Sequence, residues 1–93
     1  MTNITAKYLS KKLSLHPART LESTMKAKLI SAVLHTCERK GITHSELAER
    51  SGIPRSAVTG ILSGSLQKVT LNRVLRLVEG VGLTAEIKVK EAA

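Results

Sequence analysis

Trp and Phe are missing from this 93-residue chain, and Tyr8 is its single aromatic residue. A core without aromatic rings suits helices packed through aliphatic ridges better than a β-sandwich. There is one cysteine, Cys37, so no intramolecular disulfide can form, which fits a reducing cytosol. His16, His35 and His44 are scattered and Cys37 stands alone, so no metal-ligand spacing is present. No apolar run approaches the roughly 18 residues a membrane span requires, and the start of the chain lacks the long apolar stretch of a secretory signal. A basic helix with aromatic anchors, the pattern of a membrane-surface segment, is also missing. No Gly-rich phosphate loop and no oriented Ser-His arrangement occurs. These absences lead to the expectation of a cytoplasmic protein that is not an enzyme and carries no metal or cofactor.

What the chain has is aliphatic residues and positive charge. Its hydrophobic content is 42% and its net charge +8, a balance that favours a polyanionic partner. The excess is uneven. Residues 1–40 hold eight Lys and Arg against two Glu, and residues 41–93 hold seven against five. A chain of this length is expected to form one small domain of marginal stability, which a dimer would support.

Three regions follow from the patterning: a basic arm or short element over 1–19, a helical domain over 20–82, and a strand and tail over 83–93. In the first, Lys7, Lys11, Lys12 and Arg19 could follow a nucleic-acid backbone. Leu9 and Leu13 share a face if helical, whereas Ile4, Ala6 and Tyr8 share one if extended. From Thr20 to Lys40, the spacing of Leu21, Met25, Leu29, Val33 and Cys37, with Ile30 and Leu34 beside them, predicts an amphipathic helix, capped by Thr20 and stopped at Gly41. Thr43-His44-Ser45-Glu46 has the form of a capping box. It opens a second helix that runs to Ser51 and ends at Gly52. Pro54 suits the first turn of a third helix that ends near Ser63-Gly64. Thr70 caps a fourth, with Leu71, Val74, Leu75 and Val78 on one face and Gly80 and Gly82 at its close. Leu83, Ala85, Ile87 and Val89 then alternate with Thr84, Glu86, Lys88 and Lys90, which predicts a half-buried strand. One strand needs a partner, either the N-terminal segment or the same strand of a second subunit.

The segment from Thr43 to Gly64 places Leu47, Val58 and Ile61 toward the core, keeps Ala48 small where two helices cross, and puts Gly52 at the turn. Leu47-Ala48, Gly52-Ile53, Val58-Thr59, Ile61 and Gly64, followed by Thr70-Leu71, resemble the lambda-repressor/Cro-type helix-turn-helix domain, the XRE family, over Lys26 to Gly82. The resemblance implies a mainly α, four- or five-helix fold with the third helix in the major groove of double-stranded DNA. The order Val69-Thr70-Leu71, Val81-Gly82-Leu83 and an alternating strand is similar to HipB-type and related XRE antitoxins. That similarity implies a homodimer closed by Leu83, Ala85, Ile87 and Val89, a bound toxin, and repression of the protein's own operon at a palindromic operator. A repressor without a toxin, or a protein-interaction module on the same fold, are the other readings.

By position, the resemblance assigns DNA contacts to Arg55, Ser56, Ala57, Thr59 and Gly60 on the third helix and to His44 and Ser45 at the start of the second. It adds Ser65, Gln67 and Lys68 in the following loop, with Asn72 and Arg73 beyond. Arg55 is the strongest base reader, since a guanidinium bonds a guanine edge bidentately. Two positions depart from the family pattern. Pro54 stands where a capping Ser or Thr is usual, and Gly60 where a long polar side chain is usual. Shape and phosphate contacts then carry more of the recognition.

Overall fold

The computed structural model describes residues 17–92, with side chains from residue 21 onward. The expected basic arm lies outside the described residues, apart from the backbone of its last three. Four helices follow in order: α1 (Pro17–Lys40), α2 (His44–Ser51), α3 (Arg55–Leu62) and α4 (Leu71–Gly80). α1 packs mainly on α4 and lightly on α3, while α2 bridges α3 and α4.

Helix α1 begins three residues before Thr20, at Pro17. Proline suits a first helical turn because the amide hydrogen it lacks would have no partner there. The predicted apolar face is also displaced. Val33 is fully buried, and Leu29 and Cys37 pack against the core, but Leu21 and Met25 remain 45% and 46% exposed. Of the two residues beside that face, Ile30 is buried and Leu34 is 40% exposed, while Lys26 and Thr36 are also buried. The cause is geometric: at 3.6 residues per turn, each step of four advances about 40° around the helix. Five residues joined by four such steps therefore cannot keep one face, and only the second half of the run meets the rest of the fold.

The ends of α1 and α4 close by the same device. Gly41 adopts φ 68° and the Ile42 amide donates to the Cys37 carbonyl at 3.0 Å. Gly82 adopts φ 84°, its amide donates to Glu79 at 2.9 Å, and the Leu83 amide donates to Val78 at 3.0 Å. This is the Schellman arrangement, which needs a left-handed residue and folds the next apolar residue back onto the helix. Ile42 is buried and Leu83 packs against the core. Two cations complete the α4 terminus: Lys40 Nζ donates to the Val81 carbonyl at 3.0 Å and Arg50 Nη1 to the Gly80 carbonyl at 3.4 Å. Both favour the negative end of the helix dipole.

The core gathers Val33, Leu47, Val58, Val74, Leu77 and Val81, all without exposed surface, with Ile30, Ile53, Ile61 and Val78 around them. On α4 it is Leu77 that points inward, whereas Leu75 is 38% exposed. Gly80 is a packing glycine: a Cβ there would stand 3.0 Å from Leu47 Cδ1 and 3.5 Å from Ser51 Cβ. It lets α4 approach α2 closely.

The predicted strand over Leu83 to Val89 is absent, and no residue among those described is in a strand. Leu83 turns into its own domain through the closure of α4, so it does not share a face with Ala85, Ile87 and Val89. The last two are 83% and 89% exposed. An extended segment forms a strand only against a ladder partner, and none of the described residues supplies one to it.

Candidate nucleic-acid interface

Helices α2 and α3 are set by local chemistry. Thr43 Oγ1 accepts from the Glu46 amide at 3.1 Å, and the Glu46 carboxylate accepts from the Thr43 amide at 3.2 Å. The expected capping box is therefore formed. Gly52, at φ 72°, ends α2 and donates to the Ala48 carbonyl at 2.9 Å. A Cβ at Gly52 would lie 2.9 Å from Arg76 Nη2, so the turn between α2 and α3 also lies close under that guanidinium. Nothing in the local sequence pattern points to Arg76, because the contact spans the fold.

Helix α3 buries Val58, Ile61 and Leu62, and Ala57 packs half-buried beside them. Ala57 thus belongs to the inner stripe of the helix, at the spacing an amphipathic helix uses for its core side. Its neighbours Arg55, Ser56 and Thr59 are exposed, and Gly60 is half-exposed. Ser63, which the sequence reading omits, lies one turn beyond Thr59 and donates to its carbonyl at 2.7 Å.

The first residue of α2 reaches this surface. His44 Nδ1 lies 3.0 Å from Thr59 Oγ1, which ties the start of α2 to the outer side of α3. Ser45 is exposed next to it, and Ser65, Gln67, Lys68, Asn72 and Arg73 are exposed in the loop and at the start of α4. The Thr70 hydroxyl accepts from the Arg73 amide at 3.2 Å and sets the start of α4.

The positive charge divides into two groups. Lys26 is buried within 3.8 Å of Glu22. Lys40 and Arg50 hold the end of α4, and Arg50 also lies 4.0 Å from Glu46. By contrast, the side chains of Arg55, Lys68 and Arg73 make no hydrogen bond or ion pair among the described residues.

Three features of α3 run against helix stability. Its N-cap is Pro54, which supplies no side-chain acceptor for the first amides. Its first residue is Arg55, a cation at the positive end of the helix dipole. Its interior holds Gly60, although a Cβ there would meet nothing within 4 Å. Internal packing does not demand that glycine. Gly60→Ala is therefore expected to stabilise the domain by about 1 kcal/mol, read as a higher urea midpoint; an unchanged or lower midpoint would show that the glycine relieves a strain within the fold.

Cys37 is no part of this surface. Burial pushes its thiol up, and the nearby Arg50 charge only partly offsets that, so it stays protonated at neutral pH. Among the described residues, no cluster of three or more His, Cys, Asp or Glu could hold a metal, and no helix is long and apolar enough to cross a membrane.

The sequence profile of a family described as a helix-turn-helix domain matches residues 10–90 of the 93. No curated protein and no solved structure gives a significant match.

Proposed function

Because the chain belongs to the helix-turn-helix domain family, we propose that it is a sequence-specific DNA-binding repressor of the XRE type, with α3 in the major groove and no catalytic role. The outer side of α3 carries this reading. A proline N-cap, an N-terminal arginine and an unforced glycine each cost helix stability, and they lie together on one short helix. Local rules tend to be broken where function requires it. Arg55 would read a base edge, and Ser56 and Thr59 bases or phosphates. Gly60 would let the backbone come close to the groove. The first amides of α2, beside His44 and Ser45, would hold a phosphate, with Ser65, Gln67, Lys68 and Arg73 along the backbone. The protein would act in the cytoplasm, where its DNA is.

The active form in this proposal is a homodimer. Ile87 and Val89 are exposed apolar residues of an alternating segment, and the same segment of a second copy is the partner that would make it a strand. Two α3 helices about 34 Å apart would then read a palindromic operator. The antitoxin role, with a toxin partner and control of its own operon, rests on the order of motifs around this segment. Ile87→Asp is expected to leave a folded monomer in light scattering; a variant that stays dimeric would remove the segment from the interface.

The test of DNA binding is a mobility shift with the DNA upstream of the protein's own reading frame. Affinity is expected to fall about 10³-fold between 50 and 200 mM salt if a dimer neutralises about six phosphates. No shift at low salt would refute the repressor. Gly60→Ala should bind more weakly while being more stable, an inversion that a surface without a partner would not produce.

A further inference from the structure

Thr59 is the exposed hydroxyl nearest the middle of α3, and a single side chain engages it: His44 of α2, with Nδ1 3.0 Å from Oγ1. A hydroxyl has one hydrogen to donate and two lone pairs to accept with. The state of the imidazole therefore decides what Thr59 shows to solvent. With the ring neutral and its hydrogen on Nε2, Nδ1 accepts the Thr59 hydrogen, and Thr59 presents lone pairs alone. With the ring protonated, Nδ1–H donates to Oγ1, and the hydroxyl hydrogen is released outward.

The other charged groups on the packed elements are committed or separate. On α2, the Glu46 carboxylate is held by the Thr43 amide and hydroxyl at 3.2 and 3.3 Å and lies 4.0 Å from Arg50, which also bonds the Gly80 carbonyl; Glu49 is exposed. Helix α3 contributes Arg55. From α4 come Arg73, Arg76 and Glu79, of which Arg76 lies by the Gly52 turn. Among the described residues, none of these bonds or pairs with the imidazole.

We infer that His44 is a positioning residue that sets the hydrogen-bond polarity of Thr59, so that the base preference of α3 depends on protonation. This rests on α3 being the DNA-reading helix. In the groove, an acceptor-only Thr59 matches the amino groups of adenine N6 or cytosine N4. A donating Thr59, which keeps one free lone pair, also matches the acceptors guanine O6 and N7, thymine O4 and adenine N7. His44 thereby admits or excludes guanine and thymine at this contact without touching the base.

The experiment has two arms on the full chain. In the free protein, ¹⁵N NMR of the imidazole at about pH 8 should show Nδ1 unprotonated and hydrogen-bonded, and Thr59→Val should abolish that signature. In the DNA arm, a panel of duplexes varies each base pair of the bound site through all four bases, at about pH 5.5 and pH 8, which bracket histidine's change of charge. The wild type should change its preferred base at one position, with affinity ratios moving about fivefold, the size of one hydrogen bond. His44→Ala and Thr59→Val should bind with one preference at both pH values, and His44→Gln, which stays neutral, should do the same. A wild type with the same preference at both pH values overturns the inference alone, as does a His44→Ala variant that still switches. If the NMR signature is present but no duplex binds at either pH, the DNA reading fails and takes this inference with it.

Discussion

Leu47→Ala is expected to destabilise the domain by about 2–5 kcal/mol. Leu47 has no exposed surface, and it is the only large apolar residue that the eight-residue α2 buries. The other buried residue of that helix is Ser51, whose hydroxyl donates to the Leu47 carbonyl at 2.7 Å. Leu47 Cδ1 also fills the space left by the missing side chain of Gly80, so truncation opens a gap just where α2 and α4 meet. The capping box and the Gly52 turn remain, but isolated helices of this length do not persist in water. Against a total stability of about 5–15 kcal/mol for small domains, such a loss could unfold α2 with its turn. Urea denaturation measures it, and Leu47→Met, which keeps the volume, should lose less than about 1.5 kcal/mol. A loss below about 1 kcal/mol for Leu47→Ala would mean that caps rather than packing hold α2.

Arg55→Ala is expected to weaken DNA binding by about 1–3 kcal/mol and to flatten base preference at one position of the site. Its effect on stability should be zero or slightly favourable. The substitution removes a cation from the positive end of α3, which makes no intramolecular bond among the described residues, and introduces a better helix former. The opposite signs make the measurement decisive. A residue kept for the fold would lose stability, whereas a residue kept for DNA loses only binding. Competition binding against a panel of single-base variants, with a thermal melt on the same samples, gives both. Unchanged affinity and preference would strike Arg55 from the reading surface.

The motif from Thr43 to Gly64 was legible because its determinants are local. The capping box spans four residues, Gly52 supplies its own left-handed turn, and the spacing of Leu47, Val58 and Ile61 fixes which sides face inward. That Arg55, Ser56 and Thr59 lie on the outer side of α3 was legible for the same reason, whereas Ala57 falls on the inner stripe. Four other points were not legible. Leu21 and Met25 continue the apolar spacing of α1 but pass beyond the surface that α4 covers. The pattern on α4 points to Leu75 as an inward residue, and only the docking of that helix buries Leu77 in its place. Leu83 continues an alternating pattern into a strand, yet the closure around Gly82 turns it into the core. The His44–Thr59 bond joins residues 15 apart in the chain, and no spacing rule anticipates it.

The amino-acid sequence by itself determined the four helices, the caps at Thr43 and Thr70, the glycine stops and the helix-turn-helix, since those depend on backbone preferences and hydrogen bonds within about five residues. Tertiary structure alone decided which side of α1 is buried and which cations stay free. It also placed Gly80 at a close helix crossing and Thr59 within hydrogen-bond reach of a histidine on another helix. The reason is physical: burial and side-chain pairing depend on the relative placement of helices, and that is settled by packing the whole core at once.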